Sequence, residues 1–272
     1  MITSTSNARI KNVIQLLNSG KTRREQNAYV IEGLRMFSEA PVSQMRQIFV
    51  TEEGFEKARK IRPEIGSLVT EGGPMLNLKG PSCELVSDEV FKRMSDTRTP
   101  QGILCVMNMP NHTVGDLIQN RKKPLMVLIL EGLQDPGNLG TMLRSGEAAG
   151  VSFILADRQT ADLYNPKVIR STMGAIYRVP VIYTGDLLKS LRELKAAGVS
   201  LYAAHLAGRR EFWDEEFSER CGIMIGNEGN GLSDEATELA DVLVRIPMEG
   251  QVESLNAGVA ASLLMYEYRR KI

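Results

Sequence analysis

Residues 221–268 hold two short apolar runs, each cut off by glycine, and this pairing constrains the fold more than any other feature of the chain. The first run, Gly222-Ile223-Met224-Ile225, suits a buried strand. It stops at Gly226-Asn227-Glu228-Gly229-Asn230-Gly231. Three glycines in six positions do not belong inside a strand or a helix. They allow positive φ and close approach of backbone to a ligand. The second run, 242–247, ends in another glycine-bearing loop at 248–253. Ser254-Leu255-Asn256 then leads into a helix over 257–268, rich in Ala, Gly and Ser on its first turns. In a parallel sheet both loops leave the carboxyl ends of their strands, where open α/β sheets bind ligands. Taken alone, the stretch is equally compatible with a well-packed terminal helix beside two ordinary loops.

The same grammar extends upstream to residue 125. The run 125–130 (LMVLIL) is wholly apolar, as expected of a strand buried on both faces. The loop 131–140 follows, then a helix from about 138 to 149 carrying Arg144. Strands are expected at 151–155, 179–183 and 199–204, with helical stretches from 164 and over 187–197. This alternation predicts a mainly parallel sheet covered on both faces. Before it, 109–124 is rich in Pro, Asn, Gly and basic residues and reads as an interdomain connection with one short helix. The first 108 residues alternate helices and strands in a smaller α/β unit: helices over 6–18, 34–40 and 52–61, a helix capped by Ser87, strands at 29–33, 47–51, 84–86 and 103–108, a basic turn at 21–26 and a loop at 71–74. The expected organisation is therefore 1–108, a linker 109–124, and 125–272.

Composition removes several function classes. The net charge is zero, so any contact with nucleic acid must come from a local patch. Residues 1–40 supply one, with Arg9, Lys11, Lys21, Arg23, Arg24 and Arg35 against Glu25, Glu32 and Glu39, although a solvated face is the commoner fate of such clusters. Cys83, Cys105 and Cys221 form neither a zinc spacing nor a disulfide framework, and no metal motif surrounds His112 or His205. No apolar run is long enough to span a membrane and no signal peptide opens the chain, which fits a reduced, cytoplasmic setting. There is no Gly-Lys-Ser/Thr loop, and the glycines of GNEGNG are not spaced as G-x-G-x-x-G, so nucleotide hydrolysis and hydride transfer are poorly supported.

Three loops remain: 131–140, 226–231 and 246–256. Together they resemble the motifs of the SpoU/TrmH family of RNA ribose 2′-O-methyltransferases. The first is carried by Asn138-Leu139-Gly140-Thr141 with Arg144, the second by Ile225 to Leu232, and the third by Ile246-Pro247-Met248 with Ser254-Leu255-Asn256. The resemblance runs from 125 to the C-terminus. In 1–108, Val30-Ile31-Glu32-Gly33 and Thr99-Pro100-Gln101-Gly102 are similar, less specifically, to turns of the substrate-binding domain that often accompanies it.

The resemblance implies a C-terminal α/β knot, a deep trefoil, joined to an N-terminal substrate-binding domain, and a homodimer whose sites are completed across the interface. It implies S-adenosylmethionine held by backbone at Gly226, Ile246 and Leu255, with Met248 and Ser254 beside them. It implies RNA, preferably ribosomal, gripped by the basic residues of 1–40. It implies catalytic roles for Arg144, Glu228, Asn256 and Asn138. A guanidinium is a very poor base, so Arg144 is expected to align and stabilise the nucleophilic oxygen. Glu228 is expected to position Arg144 or the hydroxyl, and Asn138 to orient Arg144 or bind RNA. Glu228 as a helix cap, Asn256 as a plain cap and Arg144 as a surface residue are the simpler readings. A tRNA substrate, or a catalytically silent RNA-binding protein, are the alternatives in function.

Overall fold

The computed structural model describes residues 1–68, 81–119 and 124–272. The loop expected at 71–74 and residues 120–123 of the expected linker lie outside them. The chain forms two compact units, Met1–Pro110 with Tyr164–Tyr177, and Asn111–Leu163 with Arg178–Ile272.

In the first unit, helices α1 (Ala8–Asn18) and α2 (Gly20–Gln26) precede β1 (Ala28–Glu32) and α3 (Leu34–Glu39). Then come β2 (Met45–Val50), α4 (Glu52–Ile61), β3 (Ser82–Leu85), α5 (Asp88–Met94) and β4 (Ile103–Asn108). The sheet order is β1-β4-β2-β3, with only the β2–β3 pair parallel. Ile10, Val13 and Leu16 lie on one face of α1 and pack with Val30, Phe49, Phe91 and Leu104. Their spacing of three is what an amphipathic helix requires.

The basic stretch expected as a turn is the helix α2. Ser19 both ends α1 and caps α2, accepting from Thr22 N at 3.1 Å, so Gly20 opens a helix instead of closing one. Asn27, in the left-handed region at φ 49°, ends it. One consequence is that Arg23 is only 3% exposed, its Nη1 donating to the Leu16 and Leu17 carbonyls at 2.6 and 3.0 Å. Those are the C-terminal carbonyls of α1 that lack helical partners.

The second unit opens on α6 (Val114–Gln119) and continues with β5 (Leu125–Leu130), α7 (Pro136–Ala149) and β6 (Phe153–Asp157). The segment containing α8 (Pro166–Ser171) belongs to the first unit. The second resumes with β7 (Val181–Thr184), α9 (Leu187–Ala196), β8 (Ser200–Ala204), β9 (Arg210–Glu211), β10 (Arg220–Ile225), α10 (Asp234–Leu239), β11 (Val242–Arg245) and α11 (Ala257–Lys271). Its seven strands run β7-β6-β5-β10-β8-β11-β9, and every pairing is parallel. All six β5 residues are at most 2% exposed. Burying each such side chain is worth roughly 1.5–3 kcal/mol, so the centre of the sheet anchors the edge on which the loops sit. The two-residue β9 is too short to leave a periodic signal in the sequence.

Candidate active site

Because the strands are all parallel, the loops after β5, β10, β8 and β11 leave one edge, from strands that are neighbours in that order. After β10, Asn227 and Gly231 exchange backbone hydrogen bonds at 2.9 Å in both directions. The Asn227 side chain accepts from Gly229 N and Asn230 N and donates to Gly132 O at 2.7 Å, which fastens this turn to the loop after β5. A Cβ on Gly226 would lie 2.1 Å from the Gly231 carbonyl carbon, so only glycine lets the turn close. Gly226→Ala is expected to destabilise the protein by about 1–3 kcal/mol, read as a lower urea midpoint.

Glu228 reaches across from that turn. Its carboxylate accepts from Gln134 N at 3.0 Å, Asp135 N at 3.0 Å and Asn138 Nδ2 at 2.9 Å. Asn138, 6% exposed on the first turn of α7, turns its Oδ1 to Asn256 Nδ2 at 2.8 Å. Asn256 Oδ1 in turn accepts from Gly258 N at 2.9 Å and Val259 N at 3.2 Å, capping α11. Three side chains from three loops thus form one hydrogen-bonded line, Glu228–Asn138–Asn256, ending on the α11 N-terminus. A Cβ on Gly258 would lie 3.2 Å from Asn256 Oδ1, a tight approach, and in ordinary contact with Thr141 Cγ2 at 3.5 Å and Asn138 Oδ1 at 3.6 Å.

Burial favours the neutral form of Glu228, but the bonds from Gln134 N, Asn138 and Asp135 N outweigh it and lower its pKa below the usual carboxylate value. It stays ionised at neutral pH and acts as a clamp.

These bonds revise the expected division of labour. Both amide groups of Asn138 serve the line, and neither Asn138 nor Glu228 bonds Arg144 among the described residues. Glu228 does not cap the helix near Ser233 either; Ser233 caps α10 itself and gives its Oγ and N–H to Glu131. Asn256 is both a cap and a member of the line. Arg144 lies exposed on α7, with no hydrogen bond or ion pair among the described residues. Ile246, Met248 and Leu255 are half-buried and Ser254 is exposed in the third loop.

One participant was not foreseen. β8 lies between β10 and β11, so 205–208 emerges between the second and third loops. His205 N donates to Val244 O at 3.0 Å, and a Cβ on Gly208 would lie 2.8 Å from Arg245 N. Only the sheet order, set by distant pairings, exposes this loop's place.

A polar cavity of about 440 Å³ opens beside the first two loops, lined by Glu131, Asp157, Asn227 and Ser233 among others. It touches neither Arg144 nor the third loop, and its acidic lining does not suit an RNA phosphate. Burial raises the Cys221 thiol well above its usual pKa, which keeps it a core residue. Among the described residues no helix is long and apolar enough to cross a membrane, and no cluster of His, Cys, Asp and Glu is placed to hold a metal.

Of the basic residues expected on the RNA side, Lys11 and Arg24 are exposed and unpaired among the described residues. Lys21 lies 3.8 Å from Glu25, Arg35 lies 3.8 Å from Glu39, and Arg9 pairs with Glu84. Arg23, buried against α1, does not belong to the exposed set.

An all-parallel α/β sheet with glycine turns tied together at its carboxyl edge defines an α/β protein with a ligand-binding edge. The SpoU rRNA Methylase family model matches residues 125–266, and an MRM3-like substrate binding domain matches 7–105. The chain belongs to the SpoU rRNA methylase family. It is 33% identical to the 23S rRNA (guanosine(2553)-2′-O)-methyltransferase RlmP of Bacillus subtilis, over 98% of each chain. Among solved structures it is similar to the AdoMet-bound rRNA methyltransferase of Sinorhizobium meliloti, at TM-score 0.81 and 25% identity over 99% of this chain and 97% of that one. It is likewise similar to the SpoU methyltransferase AviRb of Streptomyces viridochromogenes in complex with AdoMet, at TM-score 0.79 and 26% identity, covering 97% and 98%. The second unit is accordingly an α/β knot and the first a smaller α/β domain.

Proposed function

We propose that this chain methylates a ribose 2′-hydroxyl of ribosomal RNA, using S-adenosylmethionine, as a cytoplasmic homodimer. The observation that carries the reading is the Glu228–Asn138–Asn256 line, which binds the three family loops into one site. Backbone at Gly226, Ile246 and Leu255, with Met248 and Ser254 beside them, would hold the cofactor, on loops that close glycine packing at Gly226 and Gly208 brings together. The cofactor supplies an activated methyl group on a sulfonium. The protein's own contribution is orientation and electrostatics. Arg144 aligns the ribose oxygen and stabilises the negative charge that gathers there as the hydroxyl proton leaves to an RNA phosphate or to water. Glu228, saturated by three donors and ionised, holds the loop after β5 and takes no proton.

Residues 1–108 form the RNA-holding domain, 109–124 the connection and 125–272 the catalytic domain, except that Tyr164–Tyr177 packs as part of the first unit. The test of the function is incubation of the protein, labelled cofactor and unmethylated ribosomal RNA, followed by alkaline digestion. Label in alkali-resistant dinucleotides is expected; label confined to mononucleotides means that a base, not a sugar, is the acceptor.

The dimer is supported by α11, which carries Val259, Leu263 and Tyr266 outward at 47, 38 and 52% exposure, spaced by four and three on one face. Leu263→Glu with Tyr266→Glu is expected to convert a dimer to a monomer in light scattering at micromolar concentration. An unchanged mass removes α11 from the interface.

A further inference from the structure

The first unit presents a second basic surface, at the two turns, 30–33 and 99–102, that resemble those of the substrate-binding domain. It is built where the β1–α3 turn, the loop 95–102 and the segment Tyr164–Tyr177 meet. Glu32, at the end of β1, accepts from Ser95 Oγ at 2.5 Å, Thr97 Oγ1 at 2.7 Å and Asp96 N at 3.0 Å. Gln101 Oε1 accepts from Leu34 N at 2.8 Å, across the Gly33 turn at φ +97°. Both ends of the loop are therefore fixed to the turn. Asp96 then receives Arg170 Nη1 at 2.6 Å, which seats α8 on the loop. The Tyr29 and Tyr164 rings, 4.6 Å apart, and the Tyr177 hydroxyl, donating to Met36 O at 3.1 Å, hold the rest of the segment.

This scaffolding orders a loop that has no sheet or helix of its own, and it does so around positive charge. Arg98 stands at its exposed tip with no hydrogen bond or ion pair among the described residues. Lys167 is exposed one turn before Arg170 on the same face of α8, and its ammonium is likewise without a partner among the described residues. Arg35 follows Leu34, its side chain exposed but 3.8 Å from Glu39, as Lys21 is from Glu25. The carboxylates nearby are already engaged: Glu32 by three donors, Asp96 by Arg170, Glu39 by Arg35. The N-terminal helices offer less. There Arg23 is buried and Arg9 and Lys21 are paired, leaving Lys11 and Arg24.

We infer that Arg98 and Lys167, on the platform made by loop 95–102 and α8, are the principal grip of the first unit on the RNA phosphate backbone, ahead of α1 and α2. This rests on the proposed RNA methylation. Guanidinium groups on a pre-ordered loop match phosphate oxygens and lose little freedom on binding. The segment 164–177 is thereby an RNA-contacting element, although it is encoded between two strands of the catalytic sheet.

The test compares R98A/K167A with K11A/R24A in filter binding to an unmodified 23S ribosomal RNA transcript between 50 and 200 mM salt. Thermal melts and cofactor calorimetry serve as controls for folding. R98A/K167A is expected to bind about tenfold more weakly, with a salt slope shallower by about 1.4–1.8, and with cofactor affinity and melting temperature unchanged. K11A/R24A is expected to stay within about twofold of the wild type. Equal losses in the two variants, or wild-type binding by R98A/K167A, overturn the inference while wild-type methyl transfer still stands. Wild-type protein that neither binds nor methylates the transcript overturns the functional reading itself, and the inference with it.

Discussion

Replacing Arg144 by alanine is expected to lower kcat for methyl transfer by about 10²–10³-fold, the usual effect of removing one donor aimed at developing negative charge. Cofactor affinity by calorimetry should stay within about twofold, because Arg144 makes no hydrogen bond or ion pair with the expected cofactor loops among the described residues. Stability should hardly move. The side chain is exposed and makes no hydrogen bond or ion pair there, so its loss opens no cavity and orphans no partner. That combination separates a catalytic arginine from a structural one, whose removal would lower the melting temperature along with activity. Arg144→Lys retains charge but not the planar fork, and is expected to fall between alanine and wild type. Turnover within about threefold of wild type in the alanine variant would leave the alkoxide without its stabiliser, and the assignment of Arg144 would be wrong.

Much of this fold was legible because the physics that makes its elements is local. The run 125–130 is apolar at every position since both its faces are buried, and α4 begins and ends where Thr51 and the acidic and basic turns place it. What was not legible is non-local. Gly20 reads as a helix stop until Ser19 is seen capping the helix that follows. The position of β8 between β10 and β11 depends on pairings between strands far apart in sequence. The segment Tyr164–Tyr177 sits between strands of one unit and packs with the other through Tyr29 and Met36, which no periodicity announces. At the site, family resemblance singled out Asn138, Glu228 and Asn256, but not that they bond across 90 and 118 residues of sequence. Nor could charge counting separate Arg23, folded onto the end of α1, from Arg24 beside it in solvent.

Glu228 carries the second large prediction, and its variants distinguish a clamp from a base. Alanine leaves three donors without their acceptor, at Gln134 N, Asp135 N and Asn138 Nδ2. Asn138 is then free to turn away from Asn256, so the loop after β5 and the α11 cap loosen together. A loss of about 10²-fold in kcat/KM is expected, with weakened cofactor binding, which a base that touched only the hydroxyl would leave intact. Glutamine can keep its carbonyl on the oxygen that serves both Asp135 N and Asn138 Nδ2, but then sets its own N–H against Gln134 N–H. It should recover about tenfold of the loss. The pH dependence follows from the lowered carboxyl pKa. A group depressed in the folded state contributes stability that is fully present above its unfolded pKa of about 4.3. That contribution is lost only as pH falls through the still lower folded value. Between pH 6 and 9 the clamp is therefore constant, and the pH profile of methyl transfer should have the same shape in wild type and Glu228→Gln. An acid limb that vanishes in the glutamine variant, with cofactor affinity intact, would make Glu228 the proton acceptor and overturn its role as the clamp.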